Sequence, residues 1–250
     1  MNLVIDIGNT LTKTAIFNSP EPGSFSSFEK LSLDGLKEIF FGNPGIKNVI
    51  LSSVIEHDPG ISSFLGSGYN FIELSHQTKL PLQNLYATPQ SLGKDRLAAA
   101  VGVNLLFPGQ YALSIDAGTC IKYDFVNAKN QYLGGAISPG IEMRFKALNQ
   151  FTDKLPLVNY KFFDQLVGQN TEDSLLSGVM NGVAEEVKGI IQRYEQQYPD
   201  VKVVFTGGYL KFLERIFNPA TGGTKKSSIF ADPFLVLKGL NHILNFNEKK

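Results

Sequence analysis

The chain has 250 residues, 43 % of them hydrophobic and 18 % charged, enough to bury a core of ordinary size in one large domain or two small ones. Its 23 lysines and arginines balance 23 aspartates and glutamates, so it lacks the basic excess that nonspecific nucleic-acid binding draws on, and DNA or RNA is not expected as a main partner. A single cysteine, Cys120, excludes an intrachain disulfide and a cysteine-rich zinc site, and His57, His76 and His242 lie too far apart in sequence to form a metal motif.

In chain order, Asn2 to Ile7 is dense in β-formers, breaks at Gly8 and Asn9, and resumes from Leu11 to Phe17, which predicts a hairpin. A loop is expected at Pro20 to Gly23, a short helix at Asp34 to Phe41, and strands at Val49 to Val54 and Phe71 to Leu74. Ser91 to Phe107 carries Leu92, Leu97, Ala100, Val103 and Leu106 at roughly helical spacing, and Pro108-Gly109 stops that helix before a strand at Tyr111 to Ile115. A boundary near Pro108 divides the chain into domains of 1–108 and 109–250. Strands follow at Cys120 to Val126 and Tyr132 to Ile137, then a long helix from about Glu172 to Tyr198 with an apolar stripe from Leu175 to Tyr194. Val201 to Phe205 reads as a buried strand, Gly207-Gly208 as a turn, and Phe234 to Leu244 as a closing helix. The interleaving of strands and helices gives the α/β class. With no apolar run of the roughly 18 residues a membrane span needs, and Asp6 where a secretory signal would be basic, no membrane association is expected and the location expected is cytoplasmic.

An internal echo organises the chain. Leu3-Val4-Ile5-Asp6-Ile7-Gly8 returns as Leu113-Ser114-Ile115-Asp116-Ala117-Gly118, identical at four of six positions. In each copy a carboxylate stands at a strand end and a glycine opens the turn, where the absence of a Cβ lets an anion approach backbone N–H groups. Asn9, Thr10 and Thr119 add side-chain donors. Two such turns facing each other would clamp a nucleotide, with an aspartate orienting Mg²⁺ directly or through water. Read alone, Asp-x-Gly is also a common hairpin turn. Lys13 falls on the face of Leu11 and Ala15, aimed beside the first turn or solvated on an edge strand.

Gly93-Lys94-Asp95-Arg96 opens a helix with adjacent charges that point to different targets. The aspartate suits acceptance of a hydroxyl proton and the arginine suits a carboxylate; on local grounds the run reads first as a helix start with an acid favoured by the macrodipole and an exposed arginine. Gly134 to Gly140 and Thr206-Gly207-Gly208 are small-residue stretches after strands, open to a ligand or to plain turns. Thr171 before Glu172 and Asp173 reads first as a helix N-cap. There is no Walker-type phosphate loop, complete dinucleotide fingerprint, protein-kinase catalytic loop or Gly-x-Ser-x-Gly turn.

These motifs occur in an order that resembles the type III pantothenate kinases of the actin, sugar-kinase and Hsp70 superfamily, and the likeness covers most of the chain. The resemblance implies two ribonuclease-H-like, actin-like ATPase domains with a nucleotide cleft between them, ATP-dependent phosphorylation of pantothenate in coenzyme A biosynthesis, and a homodimer joined through the second domain and its long helix. By the same resemblance Asp6 orients Mg²⁺, while Gly8, Asn9, Thr10 and Lys13 lie near the triphosphate. Asp116 accompanies a monovalent cation such as K⁺ or NH₄⁺, Gly118 and Thr119 contact phosphate, and Gly207 and Gly208 border the nucleoside. Asp95 is the implied general base; Tyr86, Gly93, Lys94, Asp95 and Arg96 border pantothenate, and Thr171 reaches it across the dimer. Tyr209 departs from an acidic residue expected after the double glycine, and Cys120 is bulkier than expected beside Thr119. A kinase for another hydroxylated acceptor, or an actin-like nucleotide-binding regulator without turnover, are the competing readings.

Overall fold

The computed structural model describes residues 1–217 and 228–248. It divides into two compact units. The first comprises Met1–Gln110, Asp124–Gly134 and Phe234–Lys250, and the second Tyr111–Tyr123 and Gly135–Pro233.

The first unit opens with the predicted hairpin, β1 (Asn2–Ile7) and β2 (Thr12–Phe17), paired antiparallel. Leu3, Val4 and Ile5 are all fully buried, the continuous apolar run of a strand covered on both faces. The expected loop at Pro20 to Gly23 gives way at Pro22 to a third strand, β3 (Pro22–Phe28), antiparallel to β2. Its serine-rich, largely exposed residues show no buried alternation, and its proline sits at the first position of an edge strand, where no ladder N–H is needed. Next come α1 (Leu33–Gly42), capped by Ser32, β4 (Asn48–Ser53), α2 (Pro59–Gly68), β5 (Asn70–Glu73), β6 (Gln83–Asn84) and α3 (Lys94–Leu106). Helix α2 has weak amphipathic content, but Asp58 caps it through the Gly60 amide and Pro59 starts it. The sheet order is β3-β2-β1-β4-β5, with β4 parallel to both β1 and β5. Leu36, Phe40, Ile61 and Leu65 from α1 and α2 pack on Leu3, Ile5, Val49 and Leu51 of the sheet.

Later elements are β7 (Ala112–Ala117), β8 (Cys120–Asn127), β9 (Gln131–Pro139), α4 (Ile141–Gln150), α5 (Thr171–Gln197), β10 (Lys202–Thr206), α6 (Leu210–Phe217), β11 (Ile229–Ala231) and α7 (Leu235–Glu248). The second sheet runs β11-β10-β7-β8-β9-β6, with β10 parallel to β7 and β11. Apart from β6, the order β9-β8-β7-β10-β11 repeats the 3-2-1-4-5 order of the first sheet. The six-residue sequence echo therefore marks a repeated topology, with Asp6 on β1 and Asp116 on β7 as the equivalent strand ends. At the start of α5 the cap is Asn170, whose side chain accepts from the Asp173 amide; Thr171, read as the cap, is the first helical residue.

Helix α7 returns to the first unit and packs on α3. Ala98, Ala99 and Ala100 leave the α3 surface shallow, and glycine completes the fit: a Cβ on Gly239 would lie 1.9 Å from the Ala98 carbonyl oxygen, and one on Gly102 2.5 Å from that of Leu235. The two backbones therefore touch. Gly239→Val, which would force them apart, is expected to lower stability by about 3 kcal/mol or more, read as a fall in denaturant midpoint at unchanged slope.

Candidate functional site

In the first unit Asp6 closes β1 and Gly8 turns the chain, its amide donating to the Leu11 carbonyl at 3.0 Å. Asp6 and Lys13 are register partners across β1 and β2, so their side chains share one face of the sheet. On the other side Asp6 aligns with Ser52 of the parallel strand β4. The strand end thus lies where a neighbour running antiparallel gives way to one running parallel. Gly8 is half-buried and Asn9 and Thr10 are exposed, which leaves the turn accessible to a ligand.

The same unit assembles a second group at the start of α3. Gly93 is the N-cap residue, with Lys94 and Asp95 in the first turn, where the helix end favours negative charge. Asp95 Oδ1 accepts from the Arg96 amide at 2.9 Å, and a Cβ on Gly93 would come within 2.8 Å of that oxygen. The expectation of an exposed arginine fails: Arg96 is 5 % exposed, and its Nε and Nη2 both reach Asp124 Oδ1 at 2.8 Å. Tyr132 donates to the same oxygen at 2.7 Å. The Tyr86 ring lies beneath the guanidinium with its centroid 5.6 Å from Cζ, and it stacks on Tyr132. Gly134 takes a φ of +103°, and a Cβ there would meet the Tyr86 ring at 3.1 Å. The consecutive residues Gly93, Lys94, Asp95 and Arg96 thus form one cluster with Tyr86, which Asp124 and Tyr132 from later strands complete. Those two escaped the sequence reading. Their signal was a lone acid inside the apolar run of β8 and a tyrosine second in β9.

Burial raises the Asp124 carboxyl to about 6, against the opposing pull of Arg96 and the Tyr132 hydrogen bond, and the Asp95 charge adds to the rise. Burial alone would depress the Arg96 guanidinium, yet its pairing with Asp124 leaves it raised.

The second unit gathers the other motifs around Asp116. Gly118 donates to the Cys120 carbonyl at 3.0 Å to close the turn. Gly140 donates to the Thr119 carbonyl at 3.1 Å, and a Cβ on Gly140 would collide with the carbonyls of Gly118 and Thr119. Thr206 is the register partner of Asp116, and Gly207 follows with a φ of +95°; a Cβ there would lie 2.4 Å from Asp116 Oδ1. A Cβ on Gly208 would meet nothing within 4 Å. On the opposite side of the carboxylate, Lys122 Nζ meets Asp116 Oδ2 at 2.7 Å, a contact the sequence reading did not foresee. Tyr209 donates to Glu142 Oε1 at 2.9 Å, so an acid reaches the end of the double glycine from α4. Cys120 Sγ sits 3.8 Å from Met143 Sδ, a soft contact outside any catalytic group. Glu186 on α5 ties Arg144 and the Tyr123 hydroxyl together, and Arg144 donates to Ser138 and to the Pro139 carbonyl, which braces the end of β9. Thr171 is exposed at the start of α5, apart from these contacts.

Residues 2–193 match the family model described as type III pantothenate kinase. A Phocaeicola vulgatus protein named type III pantothenate kinase is 48 % identical over 251 residues, covering 100 % of both chains. The chain belongs to the type III pantothenate kinase family. Among solved structures, a Campylobacter jejuni chain titled a Baf family transcriptional activator superposes with a TM-score of 0.59 at 23 % identity, covering 99 % of this chain and 100 % of that one. A ROK family glucokinase from Streptomyces griseus, solved with glucose and AMPPNP, gives 0.50 at 12 % identity, covering 98 % of each. These likenesses establish the actin-like kinase fold for the type III family member described here, whose described helices include none long and apolar enough to cross a membrane.

The raised Asp124 carboxyl sets a pH dependence of stability. Its ordinary value of 3.8 in the unfolded chain becomes about 6 in the folded one, so folding binds the extra proton and the associated stability is lost as pH rises from about 4 through 6. Thermal melts across that window should show this downward trend in the wild type and its absence in Asp124→Asn.

Proposed function

We propose that this chain transfers the γ-phosphoryl group of ATP to the primary hydroxyl of pantothenate, releasing ADP and 4'-phosphopantothenate for coenzyme A synthesis. The observation that carries the reading is the full-length identity of 48 % to a protein of that name. Support comes from the cluster at the start of α3, where a carboxylate, a fixed guanidinium and two tyrosines stand together.

In this reading Asp95 accepts the hydroxyl proton as the acceptor oxygen forms its bond to phosphorus and the bond to the β-phosphate oxygen breaks. Its Oδ1 is held by the Arg96 amide, which orients the carboxylate before substrate arrives. Arg96 and Tyr86, with Gly93 and Lys94 beside them, hold the pantothenate carboxylate end; Asp124 keeps the Arg96 fork in one orientation. Gly8, Asn9, Thr10 and Lys13 hold phosphate oxygens at the first turn, and Gly118 and Thr119 do so at the second. Gly207 and Gly208 border the nucleoside, with Glu142 supplying through Tyr209 the acid that the chain lacks at that place. Among the described residues no group of three or more His, Cys, Asp or Glu side chains could hold a metal ion on its own. Asp6 at a strand end nonetheless fits Mg²⁺, which is commonly held by one or two carboxylates together with substrate phosphates and water. When bound, Mg²⁺ would neutralise charge on the phosphate oxygens.

A homodimer is part of the proposal, with Thr171 contributing to the partner's pantothenate site. It is supported by an apolar cleft of about 580 Å³ between α4 and α5, bordered by Leu148, Phe151, Leu175 and Val179. Phe151 is 80 % exposed there, a large apolar side chain on a face that a second copy would cover. Phe151→Asp should shift the molar mass in light scattering from dimer to monomer; a monomeric wild type would remove this part of the reading.

Purified protein with ATP and Mg²⁺ should release ADP only when pantothenate is present, with the phosphorylated product identified by mass. Asp95→Asn should lower kcat by about 10²-fold or more with the melting temperature preserved. Wild-type kcat in that variant would overturn the assignment of the base, and release with a different acceptor would reassign the substrate.

A further inference from the structure

The family resemblance implies a monovalent cation at Asp116, and the surroundings of that carboxylate do not fit one. Oδ2 is met by Lys122 Nζ at 2.7 Å. Beside Oδ1 the bare Cα of Gly207 closes in so tightly that a Cβ would lie 2.4 Å from the oxygen. Both partners of the ion pair are well covered, with side-chain exposures of 18 % for Lys122 and 13 % for Asp116, so the ammonium is a fixed element of the site. A K⁺ or NH₄⁺ ion added here would meet a second positive charge and a carboxylate whose negative charge is already matched.

We propose that the Lys122 ammonium is a built-in monovalent cation, doing through a covalently attached –NH₃⁺ what a dissolved K⁺ or NH₄⁺ would otherwise do at Asp116. The inference rests on the kinase reading above. A lysine head is a compact point charge with three donors, chemically an alkylated ammonium ion, and its tether removes the need to recruit it from solution. The sequence echo gives the position a second warrant. In the first unit the lysine on the strand after the turn, Lys13, is the register partner of Asp6, and Lys122 stands on the corresponding strand after the second turn. Each phosphate-type turn therefore joins an aspartate at one strand end to a lysine on the strand that follows.

The test compares salts at constant ionic strength: KCl, NH₄Cl, and tetramethylammonium chloride, whose cation is too bulky for the site. Pantothenate-dependent ADP release by the wild type should agree within about twofold across the three. Lys122→Met should lose about tenfold or more in tetramethylammonium chloride and recover in KCl or NH₄Cl, because deleting the ammonium opens a place for a free cation. Lys122→Arg, which retains a charge, should stay insensitive to the salt and serves if the methionine variant does not fold. A wild type that needs K⁺ or NH₄⁺ for more than about tenfold of its rate overturns the inference, as does a Met variant whose loss no cation repairs. If the wild type releases no ADP in any salt, the kinase reading fails while the cation inference remains measurable from melting temperature with ATP and Mg²⁺. Stabilisation by K⁺ over tetramethylammonium should then appear in Lys122→Met and be absent in the wild type. The reverse pattern overturns it.

Discussion

The buried pair of Arg96 and Asp124 is the contact on which the cluster in the first unit depends. Arg96 is the third residue of α3 and Asp124 lies inside β8, so the pair fixes the start of a helix to a strand through two 2.8 Å contacts at one carboxylate oxygen. Two opposed charges taken out of water repay their desolvation only when the geometry is good and further hydrogen bonds are made. Tyr132 supplies one of those bonds, and the Tyr86 face lies under the guanidinium. Losing Arg96 would leave the Asp124 carboxylate buried without its opposing charge, at a typical cost of about 3–5 kcal/mol. The pair therefore holds the backbone from Gly93 to Arg96 in one conformation, and Asp95, whose own anchor is the Arg96 amide, inherits that fixity.

The placement of the two turns follows from sheet topology. In the first unit β1 has an antiparallel neighbour, β2, and a parallel one, β4; at the end of such a strand the two neighbouring chains depart differently and open a crevice. Asp6 and Gly8 occupy that end. In the second unit β7 has β10 parallel on one side and β8 on the other, and Asp116 occupies the same place. Glycine is required there because three chain segments converge: Gly140 approaches the Thr119 carbonyl and Gly207 approaches Asp116, both closer than any Cβ allows. The close approach of backbone that suits a phosphate is thus also a packing constraint of the fold.

What the sequence disclosed follows the strength of local signals. Strands β1, β4, β7 and β10 were legible because central strands covered on both faces are nearly unbroken apolar runs. Helices α3 and α5 were legible from their apolar spacing and, for α3, from Pro108 beyond its end. Strand β3 was not, since an exposed serine-rich edge carries no alternation, and α2, rich in glycine and serine with Pro59 at its start, gave no helical periodicity to read. At the site, the family resemblance grouped Tyr86 with Gly93 to Arg96, and the structure sets the Tyr86 ring against Arg96, while the partner that fixes them was hidden. A single acid in a strand does not announce whether it faces solvent or an arginine. The burial of Arg96 reversed the local expectation because helix position alone does not reveal that a strand from elsewhere in the chain covers it.

The two turns, alike in sequence, differ in what surrounds their carboxylates. Around Asp6 the register partners are Lys13 and Ser52, and the following Asn9 and Thr10 are exposed. Around Asp116 a lysine ammonium and a glycine Cα enclose both carboxylate oxygens. A carboxylate intended to share a divalent ion with phosphates needs access to water and ligand, since Mg²⁺ retains part of its hydration. A carboxylate already neutralised and enclosed acts instead as a fixed strut, balancing the lysine charge and holding the hairpin of β7 and β8 against the glycine after β10. The same strand-end aspartate thus stands twice in the chain, and the residues later in each hairpin give it different surroundings: a register partner in Lys13 for Asp6, and a direct ion pair with Lys122 for Asp116.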